Sequence, residues 1–153
     1  MSSSPDNDTV APGKTALGVA DYPIAEKRPE LVRSLSGKAM DAVTLEAVMA
    51  GEVSMEDLRI DATALRRQAE IARAAGRPTL AQNFERAADL VAVPQEVIMK
   101  AYDLLRPGRA RSRQDLLDMA AHLRDAHGAT TIAAFIEEAA EVYDRRGLFA
   151  FRF

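Results

Sequence analysis

The two histidines are the first residues of this chain whose type could support catalysis or metal binding. His122 and His127 stand five positions apart, a spacing that would place them on different sides of a helix, whereas the zinc-binding pair of a metalloprotease helix is four apart. His127 falls in the last turn of its predicted helix, where a charged imidazole suits the C-terminal end of the helix dipole. The spacing therefore favours a structural role for both histidines over a metal site.

Glu137, Glu138 and Glu141 suggest a carboxylate cluster. A di-iron site in a helical bundle would need a histidine three positions after a glutamate, with both side chains projecting inward. No histidine follows at that spacing, and the glutamates lie opposite the apolar stripe of their predicted helix. We interpret them as a solvated or partner-facing edge. The chain also has no cysteine, which excludes thiolate metal sites and thiol nucleophiles.

Residues 106–113 carry four arginines and form the sharpest run of positive charge. Arginine pairs well with phosphate and carboxylate groups, so the run could bind either. Nucleic acid is disfavoured because the net charge is -3 and no aromatic residues are interleaved for base stacking. A solvated loop between helices and an interface with an acidic partner both remain open. Since the sequence also lacks a phosphate-binding glycine loop and a nucleophile elbow, it predicts no catalytic, cofactor-binding or metal-ligating residue.

Helices would position all of these residues. Apolar residues recur at helical spacing, with capping residues before the runs and single glycines after them, and no strand of any length is indicated. Asp89 should face outward from a helix that starts at Pro78. The pattern predicts an all-α fold, a compact bundle of about five to seven helices with an extended or disordered N-terminal arm. In the last helix, over about 129–146, the apolar stripe consists of Ile132, Phe135, Ile136, Ala139, Val142 and Tyr143.

Composition divides the chain into three parts. Residues 1–35 are predicted to be a disordered or extended arm, 36–147 a helical domain, and 148–153 a tail with alternating phenylalanines. An extended arm with spaced apolar residues cannot bury them by itself, so lying on a partner is a natural role and simple disorder is the alternative. No apolar run approaches the ~20 residues that a bilayer span needs, and a cytoplasmic protein is expected. The candidate interface residues are Tyr22, Pro23, Ile24, Leu31, Arg106 and Arg109.

Short segments that follow one another in a fixed order carry a family resemblance. They are Asp21-Tyr22-Pro23, Lys27-Arg28-Pro29-Glu30, Ser36-Gly37-Lys38, Thr44-Leu45-Glu46-Ala47-Val48 with Gly51, Asp57-Leu58-Arg59-Ile60, Gln68-Ala69-Glu70-Ile71-Ala72, Asn83-Phe84-Glu85-Arg86-Ala87-Ala88-Asp89-Leu90, Val93-Pro94, Leu104-Leu105-Arg106-Pro107, Ala133-Ala134-Phe135 and Glu141-Val142-Tyr143. Over residues 21–147 they resemble the small (gamma) subunit of adenosylcobalamin-dependent diol and glycerol dehydratases. The ordered set, rather than any single segment, is the specific feature.

The resemblance implies a subunit of a lyase that is built as a dimer of heterotrimers from large (alpha), medium (beta) and small (gamma) subunits. In such enzymes the large subunit binds the diol and a metal ion, and adenosylcobalamin lies between the large and medium subunits. Homolysis of the cobalt–carbon bond starts a radical loss of water that gives an aldehyde. Because no catalytic or cofactor ligand is assigned to the small subunit, this chain would stabilise the assembly.

Two hypotheses from different classes follow. The first is an accessory dehydratase subunit, cytoplasmic and either free or enclosed in a bacterial microcompartment, in an enzyme that acts on propane-1,2-diol or glycerol. N-terminal extensions of relatives can direct the enzyme into a microcompartment, but residues 15–20 are too short and too weakly amphipathic to indicate this here. The second hypothesis is a helical adaptor unrelated to any enzyme. Copurification with large and medium subunits would separate the two.

Overall fold

The structure is a computed structural model that describes residues 16–149. Within that range it contains no strand, and an isolated bridge between Arg33 and Ala39 is its only β-type pairing. None of its helices has both the length and the apolar character that crossing a bilayer requires. The predicted all-α fold is confirmed by the seven helices α1 (Ile24–Lys27), α2 (Leu45–Met49), α3 (Ala62–Ala74), α4 (Pro78–Leu90), α5 (Gln95–Leu105), α6 (Arg113–His127) and α7 (Thr130–Arg145).

Two antiparallel helix pairs form the body of the molecule: α3 packs along α4, and α6 packs along α7. The turn between α6 and α7 depends on Gly128, which adopts a left-handed φ of 64° and donates its N–H to the Arg124 carbonyl. Asp61 caps α3, and Pro78 opens α4, as predicted for Pro78 from the sequence. The helix boundaries are therefore set largely by local residues that a sequence reading can recognise.

The main apolar core lies among α5, α6 and α7. Its largest fully buried side chains are Leu116, Leu123 and Ile136. Alanines fill much of the remaining space and allow the helix backbones to approach closely. A second small cluster joins the arm to α3, and a third lies between α3 and α4. The apolar residues are thus divided among three clusters instead of one continuous core.

The predicted stripe of α7 is displaced by about one position. Phe135, expected inside, is 38% exposed, and the Arg86 guanidinium lies over its ring at 4.7 Å from the centroid. The fully buried residues of α7 are instead Ala133, Ile136 and Ala140. Helix α7 turns this small-residue face toward α6 because alanine permits the closest approach, and the bulky Phe135 ring is left at the edge, beside α4.

The outward orientation predicted for Asp89 is wrong. Its side chain is only 9% exposed, and its Oδ2 accepts hydrogen bonds from the backbone N–H groups of Thr131 (2.7 Å) and Ile132 (3.2 Å). Helix α7 has Ala129 at its N-cap position, which offers no side-chain acceptor. A carboxylate from α4 therefore caps α7, an arrangement that helical periodicity along α4 cannot indicate.

The described part of the N-terminal arm, residues 16–35, lies against α3 in short helical turns. Leu17 and Ile24 are buried against Ile71, although the sequence favoured an arm that buries nothing within its own chain. The Leu17 N–H donates to Glu70 Oε2 at 3.0 Å, which fixes the backbone as well. Residues 1–15 and 150–153, and with them Phe151 and Phe153 of the predicted tail, lie outside the described range.

The beginning of the tail does contact the core. Phe149 packs against the main cluster, and its ring centroid lies 6.0 Å from that of Tyr143. The Tyr143 hydroxyl in turn donates to the Leu105 carbonyl at the end of α5. Tyr143 and Phe149 therefore close the C-terminal end of the α5–α7 core.

Candidate partner-binding surface

Residues 35–60, called the 35–60 segment below, expose most of the large apolar side chains that this chain leaves on its described surface. Leu45, Met49 and Met55 are 72%, 80% and 76% exposed. Single exposed apolar residues are ordinary, but a concentration of them marks an interaction surface. The other exposed apolar side chains of the segment are Leu35, Met40, Val48, Leu58 and Ile60.

The segment is folded, although it buries little. Thr44 caps α2, with its Oγ1 accepting the Ala47 N–H at 3.2 Å, and Gly51 ends that helical stretch with a φ of 75°. A short 3-10 helix over Met55–Leu58 follows. Val53 and Asp57 are the residues of the segment that are buried. Its apolar side chains are thus displayed on a defined backbone.

Asp57 ties the segment together. Its Oδ1 accepts hydrogen bonds from the hydroxyls of Ser34, at 2.8 Å, and Ser36. Its Oδ2 accepts the Ser54 backbone N–H at 3.0 Å and pairs with Lys38 Nζ at 3.3 Å. These donors, the Ser36 hydroxyl foremost, hold the pKa of the Asp57 carboxyl well below its ordinary value. The turn at 33–39 is therefore fastened to the 3-10 helix that carries Asp57.

The α3–α4 pair borders two open grooves. One, on the α3–α4 pair next to the 35–60 segment, is mostly apolar and is lined by Leu35, Arg59, Ile60, Leu65, Ala87, Leu90 and Val91. The second lies between the arm and the same helix pair and is lined by Val19, Tyr22, Gln68, Ile71, Ala72, Ala75, Arg77, Leu80 and Phe84. Both grooves could receive apolar side chains from another protein.

The predicted interface residues of the arm divide into two groups. Tyr22 is 58% exposed at the rim of the second groove, and Pro23 beside it is half-buried. Ile24 is only 6% exposed, and its side chain packs the arm against α3. Leu31 is half-buried against the same cluster, and its carbonyl accepts a hydrogen bond from Arg67. Of these four, Tyr22 is the one most available to a partner.

The arginine run lies in the loop between α5 and α6. Arg106 and Arg109 both approach the same oxygen, Asp103 Oδ1, at 3.7 and 3.5 Å, and all three side chains are about half exposed. Arg113 lies 3.9 Å from Glu141 of α7. These distances describe solvated ion pairs, which contribute little to stability, so the guanidinium groups stay accessible to an acidic partner.

The histidines lie closer together than their spacing predicted. Their ring centroids are 5.2 Å apart in an edge-to-face arrangement, because the two side chains lean toward each other across the last turn of α6. Within residues 16–149, no group of three or more metal-binding side chains forms. Of the glutamates of α7, Glu137 pairs with Arg124 at 2.6 Å, whereas Glu138 is exposed.

The sequence reading missed the 35–60 segment as a surface. A signal was present, because half of the methionines of the chain, Met40, Met49 and Met55, fall within it. Methionine adapts to varied partners and is common at binding surfaces. Helix α2 is also too short to bury several large side chains by itself.

A family model and two known proteins match most of this chain. A family model described as dehydratase small subunit matches residues 17–150. The propanediol dehydratase small subunit of Citrobacter freundii is 46% identical over 128 residues, which are 84% of this chain and 74% of that protein. The propanediol dehydratase small subunit of Salmonella typhimurium strain LT2 is likewise 46% identical over 128 residues, 84% of this chain and 73% of that protein.

The family-model match spans all seven helices of the described residues, including both helix pairs, and the 35–60 segment. The second hypothesis, a helical adaptor unrelated to any enzyme, is therefore set aside. The chain belongs to the family of dehydratase small subunits.

Proposed function

We propose that this chain stabilises the assembly of a diol dehydratase and contributes no reacting group. The observation that carries this proposal is the 35–60 segment, which is folded and capped yet leaves its large apolar side chains uncovered. The names of the relatives suggest propane-1,2-diol as the substrate of the complex, with glycerol as the second substrate that the resemblance implies. The product in either case is an aldehyde and water.

We also propose that adenosylcobalamin acts in the holoenzyme, where it supplies the radical that starts the loss of water, and that other subunits bind it. Two features of the described residues support the proposal that other subunits bind the corrinoid. The two histidines pack edge to face with each other at the end of α6, and the grooves lined by Tyr22 and by Ile60 are open to solvent. A cytoplasmic location and a dimer of heterotrimers with large and medium subunits complete the proposal.

The contacts proposed for the partner subunits involve the arm and the arginine loop. Tyr22, with Pro23 beside it, offers an exposed aromatic ring, and Arg106 and Arg109 offer guanidinium groups to an acidic surface. Ile24 and Leu31 act indirectly, since they hold the arm on α3. In this arrangement the arm belongs to the binding surface, and the α5–α7 core keeps the chain folded.

Coexpression with candidate large and medium subunits tests the proposal. The expected result is a complex that contains all three chains by size measurement and converts diol to aldehyde when adenosylcobalamin is supplied. The large and medium subunits without this chain should give less soluble complex, whose remaining molecules keep the same KM for diol. A stoichiometric spectral change when adenosylcobalamin is mixed with the pure small chain would contradict the assignment of the cofactor to other subunits.

A further inference from the structure

We infer that the 35–60 segment docks onto a larger dehydratase subunit whose contact surface is apolar at its centre and basic at its rim. The inference rests on the proposed accessory function and specifies which surface is used and what chemistry the partner must present. It concerns a segment other than the arm and the arginine loop.

The apolar centre follows from the exposure of Leu45, Met49 and Met55 on a fixed backbone. Removing a large apolar side chain from water is favourable, so several of them in one segment provide a driving force for association. The caps at Thr44 and at the Ser54–Asp57 turn hold the backbone before a partner arrives. Association then orders mainly side chains, which reduces its entropic cost.

The basic rim of the partner follows from the charges on the segment. Asp41, Glu46, Glu52 and Glu56 are exposed, and within residues 16–149 none of them forms an ion pair. Lys38 is engaged by Asp57, which leaves Arg59 as the counterbalancing cation. The segment thus carries an excess of exposed negative charge along with its apolar side chains. A partner that covers them must present basic side chains at the edge, because like charges would oppose docking.

The length of the segment also suits a single large partner. The segment has about the number of residues that one protein contributes to a standard interface, roughly 20–30. The neighbouring groove, lined in part by Leu35, Ile60 and Leu90, is open and mostly apolar, so it can receive an apolar side chain of the partner. A buried apolar anchor encircled by polar contacts is the usual anatomy of a stable interface.

The first experiment changes the apolar centre in the full chain and measures assembly with the large and medium subunits. Leu45→Asp and Met49→Asp should each reduce the amount of small chain that copurifies by at least tenfold. The matched control is Met99→Asp on α5, since Met99 is also exposed, at 53%, but lies outside the segment. The three isolated variants should keep the helical circular dichroism and the Tm of the wild type, which separates loss of binding from loss of folding.

The second experiment tests the charge of the rim. A Glu46→Lys, Glu52→Lys double variant should slow association several-fold, and the wild-type association rate should fall as ionic strength rises. Asp125→Lys, on the exposed side of α6, provides the control and should associate at the wild-type rate.

The outcomes separate this inference from the proposed function. A wild-type chain that fails to join the larger subunits overturns both. A wild-type chain that assembles, together with Leu45→Asp and Met49→Asp variants that assemble equally well, overturns the docking surface and leaves the accessory function standing. The alternative partner for this surface would be a second copy of this chain. If the isolated chain dimerises through the segment, and the dimer persists within the holoenzyme, the inference is wrong.

Discussion

Asp57 shows how one carboxylate can fix the geometry of a whole surface segment. The unfolded chain lacks the serine, backbone and lysine donors that surround this carboxylate, so its pKa there stays near 3.8, whereas the folded pKa lies well below that value. A lowered folded pKa stabilises the native chain fully at pH values above the unfolded pKa. That stabilisation is lost as the pH falls below about 4 toward the folded pKa.

The pH dependence predicts the behaviour of Asp57→Asn. At pH 7 this variant should unfold at a lower temperature than the wild type, because its amide replaces a charged acceptor of several hydrogen bonds. As the pH is lowered from about 5 to about 2, the two Tm values should converge. Thermal unfolding followed by circular dichroism measures this, with Asp41→Asn as the exposed control. A Tm difference that stays constant over that pH range would show that the lowered pKa of Asp57 does not stabilise the chain.

Asp89 provides the second prediction at this scale. Replacing it with alanine leaves the first N–H groups of α7 without their acceptor, which should lower the free energy of unfolding by about 0.5–2 kcal/mol. Asp89→Asn should recover part of the loss, since an amide oxygen can still accept. Glu138→Ala, an exposed change on α7, should stay within about 0.5 kcal/mol of the wild type. Denaturant titrations of the isolated chains make the comparison; equal midpoints for Asp89→Ala and Glu138→Ala would contradict it.

The residues at the helix ends could be recognised from the sequence, but the buried face of α7 could not. Asp61, Pro78, Ser112 and Gly128 act within one turn of their own positions, so the sequence alone could indicate them. The rotation of α7 depends on how closely alanines let α6 approach, which is a property of two helices together. The cap of α7, in which Asp89 accepts the Thr131 N–H, likewise joins residues distant in sequence.

The rotation of α7 changes the expected effects of core mutations. Ile136→Ala should lower the free energy of unfolding by about 2–5 kcal/mol, because Ile136 is fully buried. Phe135→Ala should cost clearly less than the roughly 3–5 kcal/mol of a fully buried phenylalanine, since its ring is partly exposed beneath Arg86. Chemical denaturation of both variants tests the order. A larger loss for Phe135→Ala would restore the stripe that the sequence predicted.

The arm offers a similar contrast between folding and binding. Ile24→Ala should lower the free energy of unfolding of the isolated chain by about 2–5 kcal/mol, because Ile24 is buried on α3. Tyr22→Ala should leave that free energy within about 0.5 kcal/mol and instead weaken assembly with the larger subunits. Denaturation of the isolated chain and copurification from coexpressing cells measure the two effects. A Tyr22→Ala chain that assembles normally would remove Tyr22 from the interface.

For the whole molecule, the ordered set of motifs was a better guide than any residue type. The family and the all-α fold followed from the sequence, whereas the 35–60 segment did not. A surface stays uncovered when no other part of the chain packs against it, and helical periodicity does not indicate where that happens. The motif residues Ser36, Lys38 and Asp57 nevertheless join the beginning of that segment to its end, and they hold its shape.

Assembly should in turn stabilise this chain. A partner that binds only the native state adds about 2.7 kcal/mol when its free concentration is 100 times Kd. The Tm of the small chain should therefore rise as the larger subunits are titrated in, as followed by scanning fluorimetry or calorimetry. The Leu45→Asp chain should show no rise. An unchanged Tm for the wild type at saturating partner would contradict the accessory role.

The division of the apolar residues into three clusters has a consequence for how the molecule opens. Backbone amides that rely on the small cluster between the arm and α3 should exchange their hydrogens with solvent first, and those of α6 and α7 should exchange last. The contacts of the arm with a partner would therefore break well before the α5–α7 core unfolds. Release from the complex would then precede unfolding, so that a dissociated small chain remains native and able to rejoin.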